Sequence, residues 1–183
     1  MSLRHAILGF LSLCPLSGYE LRKHMDESTG HFWSADQAQI YRTLAQLVTD
    51  GCVDVRDIPQ SGKPDRREHS ITAAGLRELD AWLASPIGYA PAREAFLVRL
   101  FFIGRLGLDA TLSILDARAA EATNVVRELA ALRDEVSREL PKHIDLAQQL
   151  RLATLDNGLR HARAELDWAT DLSTALRSKR VES

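Results

Sequence analysis

A mainly α-helical fold of the α+β class is predicted by three observations. Much of the 183-residue chain repeats apolar side chains at three- and four-residue spacing, the period of a half-buried helix. One stretch, residues 53–71, departs from that period, with a short alternating run, a turn-rich basic segment and a second short run, as a single hairpin would. A Ser-Pro-Ile-Gly run at 85–88, with Pro91 just beyond, divides this mixed region from a wholly helical remainder. Two domains are therefore expected, residues 1–86 and residues 87–183.

The elements follow in order. Residues 2–13 place Leu3, Ile7 and Leu11 on one helical face, and Pro15 stops that helix. Ser17 and Glu20 have the spacing of a capping box, which opens a helix over about 18–28 with Tyr19 or Leu21, and Met25, turned inward. Ser34 and Gln37 repeat the box and start a third helix running to Asp50, with Ile40, Leu44, Leu47 and Val48 as its apolar stripe and Gly51 as its stop. Gln39, Arg42, Thr43 and Gln46 lie off that stripe. A strand is expected over Val53–Arg56 and its return over Glu68–Ile71. The segment between them carries Lys63, Arg66 and Arg67. Thr72 then caps a helix over 73–84, with Leu76, Leu79 and Leu83 inward.

Beyond the linker an apolar helix covers 93–103. Residues 108–140 repeat Leu108, Leu112, Leu115, Ala119, Ala122, Val126 and Leu129 at alternating spacings of four and three. After Pro141 the last helix, about 143–178, continues the spacing through Leu152, Leu155, Leu159, Ala162, Leu166 and Ala169. These are heptad seams, and they predict a partner. The competing arrangement folds the arm back onto the chain's own first domain.

Composition narrows the function. Hydrophobic residues make up 45% and charged residues 26%, a globular balance. No apolar run is long enough to span a membrane, and the apolar N-terminus lacks the small-residue cleavage site of a signal peptide. Cys14 and Cys52 form no metal motif and are expected as reduced thiols in apolar surroundings of a cytoplasmic protein. The net charge is −2, and residues 1–85 hold nine Lys and Arg against eleven Asp and Glu. Any nucleic-acid contact must therefore come from a local basic patch.

The order helix, helix, helix, strand, basic turn, strand, helix is the outline of a winged helix-turn-helix. There the third helix enters the major groove and the hairpin tip, or wing, meets the neighbouring backbone. Gln39, Arg42, Thr43 and Gln46 supply the polar face this needs, and Lys63, Arg66 and Arg67 the positive tip.

On these residues the sequence resembles the PadR family of bacterial transcriptional regulators. The resemblance lies in LCPLSGYEL at 13–21, WSADQAQIYRTL at 33–44, GKPDRREHSITAAG at 62–75 and LDAWLASP at 79–86. Two positions depart from the family pattern. His69 replaces a common tyrosine at the wing's base, and Glu68 partly neutralises the wing.

The resemblance implies that Tyr41 and Arg42 face double-stranded DNA, and Gln37, Gln39, Thr43, Gln46, Lys63, Arg66 and Arg67 complete the expected DNA-binding set. By spacing alone Tyr41 fits a core edge equally well. It implies a homodimer reading an inverted repeat, with the second domain as the dimerisation domain through Leu152, Leu155, Leu159, Ala162 and Leu166. It also implies repression relieved by a small aromatic or lipophilic ligand. Trp33, Phe96, Phe101, Phe102 and Trp168 are the candidate lining, Phe96 and Trp168 first; at helical spacing all five suit a plain core as well.

No catalytic motif competes. GxSxG, HExxH, phosphate-cradling glycine loops and GxGxxG are absent, and the six histidines are scattered, so neither an enzyme, a metal nor a cofactor is expected. The remaining alternative is a winged-helix protein–protein interaction module without sequence-specific DNA binding.

Overall fold

The structure, a computed structural model, describes residues 3–30, 32–33, 35–59, 66–87, 94–141 and 143–181. The chain divides into two compact units, Met1–Tyr89 and Ala90–Ser183.

The first unit runs α1 (Leu3–Leu11), β1 (Leu16–Ser17), α2 (Gly18–Ser28), α3 (Gln37–Thr49), β2 (Val53–Ile58), β3 (Arg66–Ile71) and α4 (Ala73–Leu83). The three strands form an antiparallel sheet in the order β1-β3-β2, with Leu16 opposite His69 and Val53 opposite Ile71. Beneath it Ile7, Leu8, Leu11, Leu21, Met25, Ile40, Leu44, Leu47, Val53 and Leu79 form one core.

The local signals explain most element ends. Ser17 caps α2 as a complete box with Glu20. Thr72 caps α4, its side chain accepting from the Gly75 amide. Gly51 follows α3 at φ +70°, where only glycine is unstrained. Three expectations need correction. The expected box at the head of α3 involves Ser34, which lies outside the described residues; the cap itself is Asp36, whose carboxylate accepts from the Ala38 and Gln39 amides. Within α2 it is Leu21 that is buried, and Tyr19 is exposed. Cys14 is exposed, whereas Cys52 is buried.

The face of α4 is also rotated. Leu79 is buried as expected, but Leu76 and Leu83 are exposed. The inward line is Gly75, Glu78, Leu79 and Trp82, about a quarter-turn away. What turns the helix is an ionic and aromatic knot with α1. Arg4 binds the Glu78 carboxylate through two nitrogens and also reaches Asp50. The Cys52 thiol donates to Glu78 at 3.3 Å, and His5 stacks on Trp82 with centroids 4.8 Å apart.

Hydrogen bonds from Arg4 hold the Glu78 carboxyl down at about 2, against the opposing effect of burial. Its pKa is lower in the fold than in the unfolded chain. The stabilisation is therefore complete above about pH 4.5 and is lost as pH falls toward 2. Glu78→Gln should cost about 1–3 kcal/mol at neutral pH. The gap to the parent should close on acidification, as measured by urea melts from pH 7 to pH 2; a gap independent of pH would count against the knot.

The second unit contains α5 (Ala95–Ile103), a single 3-10 turn, α6 (Leu108–Glu139) and α7 (Leu146–Val181). Here the heptad seams find each other. Leu155 and Leu159 of α7 are buried with Leu129 of α6, with Val125 and Val126 against them. Leu112, Leu115, Ala122 and Ala169 are buried too, and Leu152, Ala162 and Leu166 are half-buried. Within one chain α6 and α7 close much of this stripe as a hairpin. Polar pairs fix the register, with Arg118 to Glu165, Arg133 to Asp156, and Asp116 accepting from both Ser173 and Arg177. Among the described residues α5 stays uncovered, burying no residue and leaving Phe101 81% exposed with Leu97, Val98 and Phe102; Leu106 of the 3-10 turn and Leu146 and Leu150 at the start of α7 are exposed too.

Candidate nucleic-acid interface

Helix α3 is amphipathic by construction. Ile40, Leu44 and Leu47 are buried, and at 100° per residue Arg42 points opposite them. Gln39 and Gln46 flank Arg42 on one side, Ala45 and Tyr41 on the other. The polar candidates are not equally free. The Arg22 guanidinium donates to the Gln37 side chain at 2.7 Å. The Thr43 hydroxyl donates to the Gln39 carbonyl at 2.8 Å, and the Gln46 amide donates to Asp50 at 2.7 Å. Among the described residues nothing engages the side chains of Gln39 and Arg42, which leaves them as the available readers.

Tyr41 satisfies both readings of its spacing. Its ring packs on Gly18, where an added Cβ would lie within 2.5 Å of it, yet the residue remains exposed. It forms one wall of a cleft of about 510 Å³. The floor is Leu44, Ala45 and Val48; the other walls are Ser17–Tyr19 and the wing residues Arg66, Arg67 and His69. His69 is buried, and burial lowers its pKa, favouring the neutral ring.

The wing cations differ from expectation. Lys63 lies outside the described residues. Arg66 is 34% exposed and its terminal nitrogen lies between two carboxylates, Glu20 at 3.1 Å and Glu68 at 3.2 Å. It is not the free cation its place near the turn suggests. Arg67 is two-thirds exposed and meets Asp57 at 3.4 Å. Glu68 neutralises Arg66 and Arg56 rather than its neighbour Arg67. Arg56, 78% exposed on β2, escaped the sequence reading because it stands in the strand rather than in the turn. Period-two alternation from Asp54 was the signal that could have placed it on the outer face.

Of the five candidate effector residues only Phe96 and Trp168 are brought together within the second unit; Trp33 belongs to the first unit, and Phe101 and Phe102 are exposed. Phe96 and Trp168 are edge to face with centroids 6.2 Å apart, and Arg118 lies 5.0 Å above the Phe96 ring.

A polar recognition helix, a wing and a cleft between them define a winged helix-turn-helix transcriptional regulator. Comparison with known proteins gives the family. The Transcriptional regulator PadR-like family matches residues 7–81, and Virulence activator alpha C-term matches residues 92–177. "Probable transcriptional regulator Rv1176c" of Mycobacterium tuberculosis is 31% identical over 98% of this chain and 100% of its own length. "Negative transcriptional regulator PadR" of Bacillus subtilis is 35% identical over 57% of this chain and 58% of its own length. Among solved structures, Bacillus subtilis PadR in complex with operator DNA superposes with a TM-score of 0.86 at 23% identity, covering 94% of this chain and 97% of that one. The Vibrio cholerae virulence activator AphA superposes with a TM-score of 0.74 at 26% identity, covering 97% and 99%. The chain belongs to the PadR-like family of transcriptional regulators.

Among the described residues no helix is long and apolar enough to cross a membrane.

Proposed function

We propose that this protein is a homodimeric, cytoplasmic repressor without catalytic activity, which binds an inverted-repeat operator and is released by a small molecule. The observation that carries the DNA reading is the pair Gln39 and Arg42, unengaged on the outward face of α3 beside the cleft that leads to the wing. Glutamine and arginine are side chains that read adenine and guanine edges in the major groove. In support, the Bacillus subtilis relative has been solved with operator DNA, and also with p-coumaric acid.

Dimer formation is supported by α5. A helix with four large apolar side chains in water is a liability for a lone chain, and a second copy is the natural cover. The effector is placed at Phe96 and Trp168, where Arg118 adds a cation beside two rings, a suitable setting for an aromatic acid.

Binding to fragments of the protein's own promoter, measured at several salt concentrations, tests the reading. A log–log salt slope of several units is expected, since each neutralised phosphate contributes about 0.9. Gln39→Ala should relax preference at one base position, at about 1–3 kcal/mol for a bidentate contact. If no genomic fragment shifts at any salt, the interaction module is the better description.

A further inference from the structure

We propose that Arg66 positions the wing rather than contacting a phosphate, and that Arg56 and Arg67 carry the wing's charge to DNA. This rests on the reading of the first unit as a DNA-binding module.

The geometry around Glu20 is the reason. One oxygen of its carboxylate accepts from the Ser17 amide at 2.9 Å and from the Ser17 hydroxyl at 2.8 Å. The same oxygen faces the Arg66 guanidinium at 3.1 Å. Ser17 ends β1 opposite Glu68 of β3, and Glu68 is the second carboxylate on Arg66. A single acidic oxygen thus joins the cap of α2, the short strand β1 and the wing strand β3.

Charge arithmetic points the same way. Arg66 lies between two carboxylates, one of them shared with Arg56, so its charge is already neutralised within the protein. The Arg66 Nε is buried and has no partner among the described residues, so the inner edge of the group faces protein. Pulling Arg66 out to a phosphate would strip Glu20 of its salt-bridge partner and leave Glu68 to Arg56 alone, which opposes the exchange. Arg56 and Arg67 differ in kind. Each is mostly exposed, and each has one carboxylate partner at 3.4 Å. Such surface pairs are worth under about 1 kcal/mol and exchange readily for the stronger charge-assisted bonds a phosphate offers.

The test is equilibrium binding of the full chain to its operator duplex across a salt series. The panel is Glu20→Gln, Arg66→Gln, their double variant, Arg56→Gln and Arg67→Gln. Glutamine at position 20 keeps the helix cap and removes only the ion pair. Arg56→Gln and Arg67→Gln should each flatten the salt slope by about one. Arg66→Gln and Glu20→Gln should each weaken binding about tenfold, near 1.4 kcal/mol, with the slope unchanged. The double variant should be no weaker than either single.

If Arg66 instead grips a phosphate, Arg66→Gln flattens the slope, and Glu20→Gln tightens binding by releasing a cation; either result overturns the proposal. A second measurement needs no DNA. Amide exchange across Arg67–Ser70 in the free chain should quicken in Glu20→Gln and Arg66→Gln but not in Arg56→Gln, and unchanged exchange also overturns it. A chain that bound no duplex would end the DNA reading, and the exchange result alone would then decide the clamp.

Discussion

Leu159→Asp should abolish the cooperative melting of the second unit. Leu159 is 4% exposed and buried with Leu129 and Leu155 between α6 and α7. Truncating a leucine in such a place costs about 2–5 kcal/mol. Adding a carboxylate with no partner raises that further, because the charge must be desolvated or neutralised. The sum rivals the whole stability of a domain. Circular dichroism of the full chain should show the helical signal of α6 and α7 lost, while the first unit keeps its own transition.

Phe101→Asp supplies the contrast. Phe101 touches water in the single chain, so its charge should leave the melting of the hairpin within about 0.5 kcal/mol yet separate any dimer built on α5. Light scattering and calorimetry on the two variants would distinguish the roles. A Leu159→Asp chain that melts like the parent would refute the packing of the hairpin. A Phe101→Asp chain that remains dimeric would remove α5 from the proposed interface.

Gly75→Ala is the second large effect, and here two general rules disagree. Helix propensity favours alanine over glycine by about 1 kcal/mol. Yet a Cβ at Gly75 would collide with the carbonyl oxygen of Cys52 and press on Ile71 Cγ1 at 2.8 Å. The obstacle is backbone, and it is tethered: the Cys52 carbonyl accepts the Thr72 amide at 3.0 Å, while the Thr72 hydroxyl donates to Gly51 at 2.8 Å. A flexible side chain would step aside, whereas this carbonyl cannot move without breaking the cap of α4. Overpacking of this kind costs about 1–3 kcal/mol, so the collision wins and the variant should be destabilised. Gly75→Ala should also loosen the Arg4–Glu78 pair, because α4 has to retreat from Cys52, whose sulfur touches both of those side chains. A melting temperature at or above the parent's would show that α4 has room to move.

What the sequence made legible was whatever acts over a few residues. The capping box at Ser17 and Glu20, the threonine cap at Thr72 and the glycine stop at Gly51 were all readable, since each side chain bonds to its own neighbourhood. The order of helices and strands followed from them. The inward face of α4 was not readable. Leucines at 76, 79 and 83 looked like a stripe, but Arg4, seventy-four residues away from Glu78, and the Gly75 contact decide its rotation. The heptad spacing likewise disclosed that the long helices pack, without disclosing on what. A seam satisfied within the chain and one satisfied by a second copy share the same three-and-four rhythm.

The candidate interface divides along the same line. The outward residues of α3 follow from periodicity alone, and Gln39 and Arg42 remain unengaged. That Gln46 is held by Asp50 was within reach of an i, i+4 reading. That Arg66 is held by Glu20 was not, because only the pairing of β1 with β3 brings those two side chains together.

The two units should also acquire their structure in different ways as the chain emerges from synthesis. Leu3–Leu11 has no lasting place until Glu78 and Leu79 have been made, and β1 waits for His69 some fifty residues on, so the first unit closes late and all at once. The α6–α7 pair joins helices that are close neighbours in the chain, Glu139 ending one and Leu146 opening the next, and can zip from there, with each closed turn bringing the next into reach. Contacts between near neighbours in the chain form fast, and those spanning a whole domain form slowly. The part that assembles fastest is thus translated after the part that assembles slowly.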